Sequence, residues 1–84
     1  MNYFEKIPVT TQSITFLANE QTIDTTGLEA TIFAKRGDVF LKTVEGIDNS
    51  EAFVIKEGTY FTLCGRFILA SADAEVRILY CKIM

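Results

Sequence analysis

Histidine and tryptophan are absent from this sequence, and proline occurs once, at Pro8. Without histidine the commonest general base is missing, and neither a Ser-His nor a Cys-His nucleophilic pair can form. The two cysteines, Cys64 and Cys81, allow at most one internal bridge, too few for a disulfide framework. Zinc sites draw three or four ligands from cysteine and histidine, so a structural zinc is not expected. The five glycines are dispersed along the chain, one to a turn, which leaves no glycine-rich phosphate cradle. Basic residues are also few: eight Lys and Arg against eleven Asp and Glu give a net charge of −3. That sign repels a phosphate backbone, so nucleic acid is not an expected partner. The N-terminal Glu5 and Lys6 interrupt any signal-like apolar run, and Phe67 to Ala70 is too short to span a bilayer. A soluble product made in the cytoplasm, with reduced thiols and no membrane contact, is expected.

The residues that are present describe a folded chain. Hydrophobic residues make up 49% and charged residues 23%, within the range of globular domains. Short β-type runs recur between turn residues, and none sustains a helical period. Ser13 to Ala18 alternates polar with apolar. Gln21 to Asp24 reads as a short edge segment before the turn Thr25-Thr26-Gly27. Leu28 to Lys35 reads as a strand around Thr31, Ile32 and Phe33, and Val39 to Val44 as the next. After the polar loop Glu45 to Ser50, the runs Glu51 to Lys56 and Thr59 to Cys64 flank Glu57-Gly58, which signals a hairpin. Phe67 to Ala72 and Glu75 to Ile83 complete the pattern.

About seven or eight short strands with regular turns predict an all-β domain, a small antiparallel β-sandwich that is jelly-roll-like or a partly open barrel. Its expected inward set is Ile14, Phe16, Ile32, Val39, Leu41, Phe53, Ile55, Phe61, Leu63, Leu69, Val76, Ile78 and Tyr80. Residues 13–84 form the single domain in this reading. Residues 1–12 stand apart as an arm, because Pro8 cannot donate within a central strand. The arm carries Tyr3, Phe4, Ile7 and Val9, which either dock on an adjacent copy or close one end of the same domain.

Several strands carry apolar residues on both faces. Phe40 lies opposite Val39 and Leu41, and Leu79, Cys81 and Ile83 lie opposite Val76, Ile78 and Tyr80. A sandwich strand has one dry face, so these residues are either covered by a neighbouring subunit or scattered on the surface. A chain this short buries only about 60–65% of its unfolded surface, and such chains usually recruit a disulfide, a metal or a partner. Tyr3, Phe4, Ile7, Val9, Phe40, Leu79, Cys81 and Ile83 are therefore the candidate interface residues. No catalytic, cofactor-binding or metal-binding residue is expected. The carboxylates Glu45, Asp48 and Glu51 lack the spacing of a calcium loop and read as a solvated turn. Arg36-Gly37-Asp38 spells an integrin-type tripeptide but reads as turn chemistry.

The runs VFLKTVEGIDNSEAFVIKEGTYFTL and FILASADAEVRILY resemble the strand, polar loop, strand and glycine-turn pattern of short β-sandwich structural and accessory proteins of tailed bacteriophages and prophages. The likeness covers about residues 30 to 80. It implies a non-catalytic virion component in repeated copies, such as a capsid decoration protein, a head fibre or a tail accessory, with other virion proteins and itself as partners. Two other classes fit a non-catalytic domain of this composition. One is a small acidic protein-binding module that inhibits a host protein, and the other is a carbohydrate- or receptor-binding module.

Overall fold

The computed structural model describes residues 6–15, 20–44, 46–71 and 73–83. Six strands, β1 (Lys6–Ile14), β2 (Gln21–Arg36), β3 (Val39–Lys42), β4 (Phe53–Ile55), β5 (Tyr60–Ala70) and β6 (Glu75–Ile83), carry almost all of the regular structure. The described residues hold no α-helix, and one short 3₁₀ turn, Asn49–Glu51, precedes β4. The strands form one sheet in the order β1-β6-β2-β5-β3-β4, antiparallel at every pairing.

Laid flat, six strands spaced about 4.8 Å apart would separate the two edge strands by about 24 Å. Yet Ile14 of one edge and Ile55 of the other belong to the same buried cluster, with Ile23, Ile32, Val39, Phe67, Leu69, Val76 and Ile78 between them. The sheet therefore curls on itself and supplies both walls of a single core. The architecture is all-β, a sheet bent into a partly open barrel whose edges, β1 and β4, do not pair with each other.

The curl comes from two long strands that the sequence reading divides into four. Between Asp24 and Glu29 the register against β5 shifts, so that Thr25, Thr26, Gly27 and Leu28 of β2 face only Gly65 of β5. Thr26 and Gly27 adopt positive φ angles of 47° and 82°, and Gly65 adopts 103°. Asp24 holds this bulge, its Oδ1 accepting from the Thr26 amide at 3.0 Å and from the Thr26 hydroxyl at 3.1 Å. Bulges bend a strand and increase its twist without ending it. Thr25-Thr26-Gly27 is thus a kink inside β2, and Gly65 a kink inside β5. Gln21 to Asp24 is the first part of this long strand; it pairs with β5 from Gln21↔Leu69 to Asp24↔Arg66 and, among the described residues, with no strand on its other side, so it is an edge segment as expected.

Three further expectations change. Glu57-Gly58 makes a turn, with the Thr59 amide donating to the Lys56 carbonyl at 3.0 Å, but β4 and β5 do not pair. The turn instead carries the chain across to β2, where the Gly58 amide donates to the Ala34 carbonyl at 2.7 Å. Residues 6–12 are not a detached arm: they are part of β1, which pairs with β6 from Lys6↔Ile83 to Ile14↔Val76. Pro8 is accommodated because β1 is an edge strand. Phe53, expected inside, is 54% exposed at the free edge, where it packs against Phe61 with ring centroids 4.7 Å apart. The core also contains Ile23, Ala30, Ala34, Phe67 and Ala74, which the inward set lacks, while Phe16 lies outside the described residues.

Candidate interaction face

The bulge in β2 decides which side chains face out. Before it, the odd positions Ile23 and Thr25 are buried; after it, the even positions Ala30, Ile32 and Ala34 are. Strict alternation from Ile23 would have sent Phe33 inward and Ile32 outward. The inserted residues reverse that parity, and Phe33 is left on the outer face, 37% exposed.

Across this outer face the registers align rows of side chains from β1, β6, β2 and β5. One row is Thr11, Leu79, Thr31 and Thr62, and the next is Ser13, Arg77, Phe33 and Tyr60. Thr31 and Thr62 join hydroxyl to hydroxyl at 3.0 Å. Together Thr11, Ser13, Thr31, Phe33, Arg77 and Leu79 surround a shallow hollow of about 380 Å³. Phe33, Leu79 and Tyr60 are among the exposed large hydrophobic side chains of the chain. The hollow is thus apolar at its centre and ringed by hydroxyls.

Its charged border is built around Glu75. The carboxylate meets Lys35 at 3.1 Å and Arg77 at 2.7 Å, and the hydrogen bond from Lys35, ahead of that from Arg77, holds its pKa below the ordinary value. Two cations share one carboxylate, so this border carries a net positive charge. At the opposite edge of the sheet the balance reverses. Asp48 and Glu51 flank the approach to β4, and neither has an ion-pair partner among the described residues. The Asp48 pKa is lowered chiefly by the Ser50 amide, which its carboxylate caps at 3.0 Å.

A third row of the outer face holds Pro8, Cys81, Glu29 and Cys64. Lys6 bridges to Glu29 at 2.8 Å, reaching from β1 across β6, and Cys81 beneath it is only 6% exposed. Cys81 points outward as its alternation predicts, but its own chain covers it, so it is not an available contact. Both cysteines are free thiols. The rows place a whole strand between them, about 9.6 Å, beyond the span of a disulfide.

The other candidate interface residues fall in different places. Ile7 and Val9 are exposed on β1, Val9 at a register shift between Pro8 and Thr10. Leu79 lies at the centre of the outer face. Phe40 is half-buried on β3, and its partner Ala70 and, two residues on along the same face, Lys42 and its partner Ile68 are buried within the single chain. No second subunit is required to cover that face. Ile83 ends β6 opposite Lys6, with its side chain outside the described set, as are Tyr3 and Phe4. Phe33, Tyr60 and Arg77 are not among the candidate interface residues, although alternation from the inward Ile32, Phe61, Val76 and Ile78 turns all three outward.

Elsewhere, a hollow of about 480 Å³ is lined by Thr43, Val44, Arg66, Phe67 and Ile68. Lys42 is buried and ion-paired to Glu20 at 3.0 Å. Among the described residues, no group of three or more histidine, cysteine, aspartate or glutamate side chains is placed to hold a metal, and no helix is long and apolar enough to cross a membrane. Compared with protein-family models, with curated proteins and with solved structures, the chain has no match.

Proposed function

We propose that this chain is a non-catalytic structural component that works in repeated copies, as a capsid decoration, head-fibre or tail accessory protein of a tailed-phage virion. The observation that carries the assembly role is the outer face. In a chain of 84 residues, where apolar side chains are needed for the core, Phe33 and Leu79 sit exposed beside each other's rows with Tyr60. An exposed apolar group rimmed by hydroxyls is the chemistry of a protein contact. The free edges favour a facial contact over strand addition. β4 has three residues, and β1 carries Lys6, Pro8 and a register shift, features that blunt edge-to-edge pairing. The virion assignment draws its support from the likeness of residues 30 to 80 to phage structural proteins.

Two measurements test the two halves of this reading. Mass spectrometry of purified virions from a producing strain is expected to find the chain in many copies per particle; its absence from the particles removes the virion role. Light scattering of the purified chain is expected to show self-association, and a monomer at every concentration removes the assembly role.

A further inference from the structure

The outer-face hollow and the β4 edge lie on opposite sides of the sheet order, and they differ in both shape and charge. The hollow is concave, apolar at Phe33 and Leu79, and bordered by Lys35 and Arg77, with Glu75 as the shared carboxylate. The β4 edge is its complement. Phe53 is more than half exposed there, one side of its ring resting on Phe61, with Glu51 two residues before it in the 3₁₀ turn and Asp48 capping that turn. Neither carboxylate forms an ion pair among the described residues; Lys42, the cation that acts on Asp48 from a distance, is buried and bound to Glu20.

The geometry points to a head-to-tail contact between copies of this chain, in which the β4 edge of one copy inserts Phe53 into the outer-face hollow of the next. Glu51 and Asp48 then approach Arg77 and Lys35. Opposite charges meet, whereas a two-fold contact of the hollow with itself would set Arg77 and Lys35 against their own copies. Because the two surfaces are different, each added copy leaves one of each kind free. Such a heterologous contact propagates into a ring if its rotation closes, or into a filament if it does not. The inference rests on the proposed assembly role and adds the surfaces and their polarity. A contact centred on so few side chains falls at the small, weak end of protein interfaces, so each single contact is read at high protein concentration.

Two variants, each broken on one surface, test it. Arg77→Glu disables the hollow, and Phe53→Asp disables the edge; Leu79→Asp and Glu51→Lys are the second choices if either first variant melts below the native chain. In sedimentation velocity each variant alone is expected to associate at least about tenfold more weakly than the native chain. An equimolar mixture is expected to form one-to-one heterodimers and nothing longer, because only one intact edge meets one intact hollow. If the native chain assembles but the mixture stays monomeric, or if the single variants assemble as the native chain does, the head-to-tail contact is overturned while the assembly role stands. A native chain that never associates overturns both.

Discussion

Thr25 and Gly65 replace a missing section of the β-ladder with a side chain. The Thr25 hydroxyl accepts from the Gly65 amide at 2.8 Å and donates to the Gly65 carbonyl at 3.1 Å. One buried hydroxyl thereby satisfies both backbone groups at the point where β2 carries its extra residues. Gly65 is exposed, so each of these hydrogen bonds contributes a net of about 0.5–1.5 kcal/mol. Thr25→Val, which keeps the shape and removes the hydroxyl, is expected to lower stability by about 1–3 kcal/mol, read from chemical denaturation. Thr25→Ser keeps both hydrogen bonds and is expected to cost less than Thr25→Val. Equal losses for the two variants would show that the hydroxyl is not what holds the kink.

The turn before β3 makes a different demand on its backbone. Gly37 has a φ of 77°, and a Cβ placed there would lie 2.9 Å from the Asp73 carbonyl oxygen. Gly46 has a similar φ of 84° but open space around it. Left-handed backbone costs an alanine about 1–2 kcal/mol at either position. Gly37→Ala adds a clash with backbone, so its melting temperature is expected to fall further than that of Gly46→Ala.

Acid weakens the fold through carboxylates that the folded chain holds ionised. The pKa of Asp38 is lowered first by the Glu57 amide and then by Lys56, that of Asp48 by Ser50, and that of Glu75 by Lys35 and Arg77. Each group binds its proton more weakly folded than unfolded, so the unfolded chain takes up more protons as pH falls. Their contribution is complete above the unfolded values, near 4, and is lost as pH drops through the lower folded values. A denaturation midpoint measured from pH 6 to pH 2 is expected to decline below about pH 4, and Asp38→Asn is expected to flatten part of that decline.

Much of the fold is legible in the sequence because alternation is local. Glu75 to Ile83 is a strand by its pattern and a strand in the structure, and Ile14, Ile32, Val39, Ile55, Leu69, Val76 and Ile78 are buried as their alternation requires. The kinks at Thr25-Thr26-Gly27 and at Gly65 are not legible as kinks. A glycine with positive φ reads the same whether the chain reverses or only bends, and the choice depends on partners distant in sequence. The outward facing of Phe33 is legible from the inward Ile32; what is not legible is the register that sets Phe33, Tyr60, Arg77 and Leu79 in adjacent rows, because it joins strands distant in sequence. Glu57-Gly58 shows the limit most plainly: its turn is local, but the strand that receives it is β2, by way of Ala34.

The two thiols differ in cover, and their reactivity follows. Cys64 is exposed, whereas Cys81 lies beneath the Lys6–Glu29 ion pair. Native-state alkylation is expected to modify Cys64 alone, with Cys81 reacting after unfolding, and non-reducing mass analysis to show no internal bridge. Equal labelling of both thiols in the native chain would contradict the burial of Cys81.

The outer face as a contact between copies is tested most directly by sedimentation velocity of the native chain and of Phe33→Ser across a rising concentration series. Phe33 lies outside the core, so the variant is expected to keep the native melting behaviour. The native chain is expected to sediment faster as concentration rises and the variant to remain monomeric. Two chains that associate alike, or that both stay monomeric, would contradict it.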